Sequence, residues 1–271
     1  MQRERIGGYR LDAVLGEGAT GTVYRAVSDA DGAQVAVKVL KPELVRDPVF
    51  RKRFQHEARA AAEVRNRHVV RVLDSGREED LCFLVMNYVE SRPLADLTWS
   101  SGPPPLASIV RLAAGVASGL DSLHRAGLVH RDVKPANILI DQAGNALLTD
   151  FGLAKGRAYT VLTRPGQALG TLDYMAPEVV RGEPATPASD IYALGCVVYE
   201  YVTGTPPFGE RSFFEIGTAH VEEQPPDPRA RRNDLSKSFA WALLTALAKL
   251  PHQRPTTASA YAYMLRLATR G

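Results

Sequence analysis

Apolar and polar positions divide the chain into a strand-rich first part and a helical remainder. Residues 9–16, 22–27 and 33–40 are rich in β-branched and apolar side chains, and they are broken by the glycines of 16–21 and by an Asp31-Gly32 turn signal, which predicts antiparallel strands. An Ala-, Arg- and Glu-rich stretch over 48–64 follows and predicts a helix, with Asp47 as its N-cap and Pro48 at its first position. Two further strands are predicted near 69–74 and 81–86. From about residue 106 the period changes. Ile109, Leu112, Val116, Leu120 and Leu123 recur at helical spacing and form one apolar stripe. More helices are predicted at 190–203, 212–220, 238–249 and 257–268. A loop-rich segment, 128–182, lies between, and 87–94 is the predicted crossover between the two parts. The expected fold class is α+β and bilobal: a small lobe (9–88) of antiparallel sheet plus one helix, a mainly helical large lobe (89–268), and a cleft where ligands favour such junctions.

Composition adds exclusions. A 271-residue chain that is 45% hydrophobic can bury a substantial core. A net charge of +3 gives no sign of a general nucleic-acid binder. Two cysteines, Cys82 and Cys196, sit in apolar runs and read as reduced core residues in a reducing, cytoplasmic compartment. The first ten residues lack an apolar signal-peptide core. The longest near-apolar run, 239–248, falls short of the about 18 residues a membrane span needs. A membrane anchor following residue 271 stays open.

Four stretches carry chemistry. Gly16, Gly18 and Gly21 make a G-x-G-x-x-G pattern, a weak signal alone. A dinucleotide fold needs a helix after it; here residues 23–27 continue as a strand, which favours a hairpin lid whose backbone N–H groups approach phosphate oxygens. Val35-Ala36-Val37-Lys38 places a lysine inside an apolar strand, on the same face as Ala36. A lysine there can snorkel to solvent; next to a phosphate lid it reads as a cation for phosphates, with Glu57 of the 48–64 helix as a second partner. In His130-Arg131-Asp132-Val133-Lys134-Pro135-Ala136-Asn137, Asp132 can accept a hydroxyl proton, Lys134 can offset phosphoryl charge, and Asn137 offers an oxygen to a metal. Asp150-Phe151-Gly152 supplies a second acid, so Asn137 and Asp150 together form a hard oxygen site suited to Mg²⁺.

Taken with Met175-Ala176-Pro177-Glu178 and Arg254-Pro255, these motifs resemble the protein kinases of the eukaryotic (Hanks) type, closest in texture to the bacterial PknB-like serine/threonine branch, over about residues 9–268. The resemblance implies transfer of the ATP γ-phosphate to Ser/Thr hydroxyls of protein substrates, including the kinase itself, with Mg²⁺ or Mn²⁺. It implies that Gly16, Gly18 and Gly21 cover the phosphates, that Lys38 is held by Glu57, that Asp132 is the catalytic base, and that Asn137 and Asp150 bind the metal. Leu15, Val23, Ala36 and Leu139 would sandwich adenine; Met86 would be the gatekeeper, and the backbones of Asn87 and Val89 the hinge. Thr171 would bridge Asp132 and Lys134, Glu178 would pair with Arg254, and Asp190 would anchor the catalytic loop. A homodimer for trans-autophosphorylation is a further implied partner.

Two departures from the pattern stand out. Asn87 occupies a hinge position where bacterial relatives usually carry Glu. Between Asp150 and Glu178 phosphoacceptors are few: Thr163 is the first candidate for a regulatory phosphate held by Arg131, and Thr160 the second. The competing reading is a pseudokinase, a nucleotide-binding scaffold without turnover. A dinucleotide-dependent oxidoreductase rests on the glycine pattern alone.

Overall fold

A computed structural model of the chain describes residues 4–97, 102–152 and 172–270. The small lobe is built on a six-stranded antiparallel sheet of order β1-β2-β3-β4-β6-β5, comprising β1 (Arg5–Ile6), β2 (Tyr9–Glu17), β3 (Gly21–Ser28), β4 (Gln34–Leu40), β5 (Val72–Glu78) and β6 (Leu81–Asn87). Alternation along β4 divides its side chains between two apolar clusters. Val35 and Val37 pack with Ile6, Ala26, Phe83 and Val85 on one face. Ala36 joins the main core on the other, with Leu84 and Met86.

Helix α2 (Pro48–Glu63) lies against that second face, preceded by the single turn α1 (Pro42–Val45). Asp47 caps α2 as predicted, its carboxylate accepting from Val49 N–H at 2.9 Å. The buried face of α2 runs Phe50, Phe54, Glu57, Ala58 and Ala61. Helical periodicity thus carries a carboxylate inward with the apolar residues.

In the large lobe, α3 (Leu106–Arg125) buries all five residues of the predicted stripe. It is long and apolar enough to cross a membrane, yet most of it is buried inside the fold. It packs against α5 (Pro187–Thr203) and α8 (Ala258–Ala268); α4 (Pro177–Val180), α6 (Phe213–Glu222) and α7 (Lys237–Thr245) are the other α-helices among the described residues of this lobe. A second sheet of three short strands, β7 (Ser91–Pro93), β8 (Ile138–Asp141) and β9 (Ala146–Leu148), sits at the lobe junction. The predicted strand at 69–74 begins only at Val72, because Val69 and Val70 pair instead with Leu148 of β9. The predicted helix over 238–249 ends at Thr245. Both cysteines are buried and free, as expected.

Candidate active site

Sheet register assembles the nucleotide side of the cleft. On β4, Lys38 lies opposite Val23 of β3 and Leu84 of β6, and Ala36 lies opposite Met86. Cross-strand partners share a face, so Val23, Ala36, Lys38 and Met86 line one surface. Ala36 and Met86 are buried, while Val23 and Leu139 pack at its margin. Leu15 is exposed on the arm of the hairpin above them. The glycine pattern falls in the β2–β3 hairpin, closed by Gly18 N–H donating to Gly21 C=O at 2.9 Å. A strand follows it, so the dinucleotide reading fails on topology. A Cβ on Gly21 would sit 2.2 Å from the Val39 carbonyl oxygen, so pairing with β4 requires glycine there. The space beside Gly16 and Gly18 is open, which suits a backbone cradle for phosphate oxygens. At the crossover, Asn87 spends its side-chain oxygen on Arg71 N–H (2.6 Å) and its own N–H on the Arg71 carbonyl (3.0 Å). Its departure from the family pattern therefore has a structural use, tying the hinge to Arg71, just ahead of β5. Val89 is half-buried next to it.

The catalytic loop is fixed from below. Asp190, buried on α5, accepts from the backbone N–H groups of His130 (2.8 Å) and Arg131 (2.9 Å), the anchoring role expected of it. His124, at the end of α3, adds a contact to the same carboxylate at 2.8 Å. No local motif marks His124, and only the packing of α3 against α5 reveals it. Above this anchor Arg131 takes φ +64° and Asp150 φ +55°, left-handed conformations that are costly for residues with a Cβ. Asn137 donates its amide to the Asp132 carbonyl and to Asp132 Oδ2, each at 2.8 Å. Lys134 Nζ lies 3.2 Å from the same Asp132 oxygen.

Asn137's backbone carbonyl accepts from Thr149 N–H at 3.0 Å, which places Asp150 next to it. With its amide nitrogen committed to Asp132, Asn137 has its oxygen to offer a cation, and Asp150 adds a carboxylate. This hard, two-residue donor set fits a divalent ion that takes its remaining ligands from phosphates and water. Gly152 N–H donates to the His130 carbonyl at 2.7 Å, and a Cβ there would stand 2.8 Å from that oxygen. The Asp-Phe-Gly turn thus seats directly on the catalytic loop, with Phe151 edge-on to His130.

One expected pairing is not formed. Lys38 pairs with Asp150 rather than with Glu57, and Glu57 Oε1 accepts from Arg131 Nη1 at 2.9 Å. The reason is placement: the lysine meets the carboxylate that enters the cleft on the Asp-Phe-Gly turn, while the loop arginine reaches α2. Lower in the large lobe, Glu178 and Arg254 form the expected ion pair, two bonds of 2.7 Å with both residues buried. Thr160, Thr163 and Thr171 lie outside the described residues.

A two-lobed fold with a glycine hairpin, a strand lysine and a loop of Asp, Lys and Asn facing a second Asp defines a nucleotide-dependent phosphotransferase of the kinase class. The protein kinase domain family matches residues 9–264, and the chain belongs to that family, whose members use ATP and a divalent metal. It is similar to the serine/threonine-protein kinase PknB of Mycobacterium tuberculosis, 38% identical over 257 residues, covering 93% of this chain and 41% of that protein. PknB of Mycobacterium leprae is also 38% identical, over 256 residues, with 93% and 41% covered. A crystal structure of the M. tuberculosis PknI kinase domain superposes with a TM-score of 0.79 at 28% identity, covering 100% of both chains. The chain spans about two fifths of the length of the curated relatives it matches. These relatives place the domain in the bacterial serine/threonine kinase branch.

Proposed function

We propose that this chain transfers the γ-phosphoryl group of ATP to Ser/Thr hydroxyls of proteins, including its own, with Mg²⁺ or Mn²⁺ as the metal. The observation that carries this reading is the locked trio of Asp132, Lys134 and Asn137, set beside Asp150 by the Asn137–Thr149 bond. Asn137 and Asp150 would hold the metal, which when bound supplies positive charge against the phosphate oxygens. Asp132, oriented by the Asn137 amide, orients the acceptor hydroxyl and takes its proton. Lys134, ion-paired at the same carboxylate, is placed to offset negative charge on the group in transfer. Lys38, which pairs with Asp150 in the cleft, would support the remaining phosphates. Such sites work chiefly by positioning and electrostatics.

The test is transfer of γ-labelled phosphate to a generic basic protein and to the chain itself, with Asp132→Asn as control and phosphosites mapped by mass spectrometry. Metal-dependent labelling of Ser and Thr, lost in the control, is the expected result. Nucleotide binding without transfer would favour the scaffold reading instead. Thr163 is proposed as an autophosphorylation site, with Thr160 second, reached in trans within a homodimer. A cytoplasmic setting agrees with the two free thiols.

A further inference from the structure

Helices α7 and α8 run antiparallel at the surface of the large lobe. Tyr261 OH donates to the Leu243 carbonyl at 3.2 Å and Ser236 Oγ meets the Ala268 carbonyl at 3.5 Å, which sets Trp241 level with Tyr263. Both helices press apolar residues into one core, Phe239, Ala242 and Leu243 from α7, and Tyr261, Ala262 and Leu265 from α8. Helical periodicity turns Trp241, Tyr263 and Leu267 the other way, and they are 65%, 51% and 48% exposed. Single exposed apolar side chains are ordinary; a tryptophan, a tyrosine and a leucine together on two adjoining helices mark an interaction surface. The charges around them have one sign. Residues 235–271 hold five Lys and Arg and no Asp or Glu. Two of the five are committed inside: Lys249 Nζ donates to the Ala219 and His220 carbonyls, and Arg254 pairs with Glu178. Lys237, Arg266 and Arg270 are exposed. Lys237 stands one turn before Trp241, and the Arg266 guanidinium lies 5.1 Å from the centre of the Tyr263 ring. Asp234, just ahead of α7, is paired with Arg232 at 2.9 Å, and Asp121 of α3 spends its carboxylate on the Ala258 and Ser259 N–H groups at the start of α8.

We propose that this α7–α8 face docks on an anionic lipid bilayer, with Trp241, Tyr263 and Leu267 entering the headgroup boundary and Lys237, Arg266 and Arg270 held at the lipid phosphates. No residue of the cleft takes part, so the surface stands apart from the kinase reading. Tryptophan and tyrosine favour the membrane–water interface, where the ring leaves water and its polar edge stays wet. Helices with an apolar face and basic flanks lie in the plane of that boundary. Each lysine or arginine near negative headgroups adds about fivefold to the binding constant. A second copy of the chain is the weaker occupant. A two-fold contact would set the three cations against their own counterparts, and like charges placed face to face resist association. Three apolar side chains also fall short of the about 800 Å² per partner that a stable dimer buries. A bilayer meets both the apolar residues and the single sign of charge.

The test is co-flotation of the full chain with vesicles of phosphatidylcholine, alone or mixed with phosphatidylglycerol, read beside tryptophan emission. The chain has two tryptophans, so Trp99→Phe leaves Trp241 as the sole reporter. The expected result is binding to the mixed vesicles and little to the neutral ones, with a blue shift of Trp241 and loss of binding in high salt. Lys237→Glu/Arg266→Glu should weaken binding about twentyfold or more, and Trp241→Ser should weaken it with the charges intact. Lys52→Glu/Arg59→Glu changes the net charge equally on the exposed side of α2 and should leave binding nearly unchanged. All these side chains except Trp99 are exposed in the fold, and thermal unfolding checks each variant; Lys237→Gln/Arg266→Gln serves if the glutamate pair does not fold. Equal losses in the two charge-reversed variants, binding without the Trp241 shift, or no binding to either vesicle overturns the proposal. Dimerisation that Trp241→Ser abolishes, without vesicle binding, overturns it in favour of a second copy.

Discussion

Replacing Arg254 with Met should take away a large share of the domain's stability although the residue lies far from the cleft. The Arg254 side chain is fully buried and the Glu178 side chain nearly so, so solvent screening does little to weaken their attraction. The guanidinium bonds both Glu178 oxygens and also the carbonyls of Ala188 (2.9 Å), Ala248 (2.8 Å) and Lys249 (3.1 Å). Methionine fills part of the volume but leaves a buried carboxylate with Ser189 as its remaining side-chain donor, at 2.7 Å. Removing one partner of a buried pair costs about 3–5 kcal/mol. Domains of this kind are stable by about 5–15 kcal/mol in total. Urea unfolding at pH 7 should show the midpoint falling by about a fifth or more, with the slope unchanged. The double variant Glu178→Gln/Arg254→Met should be more stable than the sum of the single losses predicts, by about 1 kcal/mol or more. Burial is the largest influence on Glu178 and pushes its carboxyl up, but hydrogen bonds from Arg254 and Ser189 outweigh it and hold the group below its usual 4.5. That stability is therefore complete above the unfolded value and is lost as pH falls through the lower folded one. A cost under about 1 kcal/mol, the range of an exposed pair, would refute the reasoning.

Three further outcomes follow from particular contacts. Lys38→Met should lower kcat/KM by about 10²–10³ while the unfolding midpoint stays near wild type; transfer at the wild-type rate would remove Lys38 from the phosphate site. Gly152→Ala forces a Cβ to 2.8 Å from the His130 carbonyl oxygen, so activity should fall further than stability, and a fully active alanine variant would show that the turn can move off the loop. Burial, then the nearby Lys249 charge, drives His220 down to about 3 from 6.5. The unfolded chain binds the extra proton between those values, so stability should fall by roughly 4 kcal/mol as pH drops from 6.5 to 3. His220→Phe should flatten that acid limb in pH-dependent unfolding, and an unchanged limb would contradict the assignment.

The chemistry of the site was legible in the chain because its parts are local. Asp132, Lys134 and Asn137 lie within six residues of one another, and a turn of that length leaves their side chains few places to go. The glycine hairpin, the strand carrying Lys38 and the Asp47 cap of α2 were equally readable, since alternation and capping act within a few residues. Glu57 was readable as a candidate partner on that helix, but its inward turn emerged only with the packed face of α2.

What the sequence left open is which partner each charge takes. Lys38 and Asp150 are 112 residues apart and Glu57 and Arg131 are 74 apart. Swapping the partners within the four-residue set changes no local preference, so only the seating of α2 over the catalytic loop decides it. The same holds for element ends. Residues 69–70 could extend β5, but the packed lobe offers them Leu148 instead. The apolar pattern could carry α7 past Thr245, but the Arg254 guanidinium takes the Ala248 and Lys249 carbonyls. Each backbone polar group must find a partner once buried, and for those at the edges of elements that partner comes from a distant segment that only the folded chain brings near.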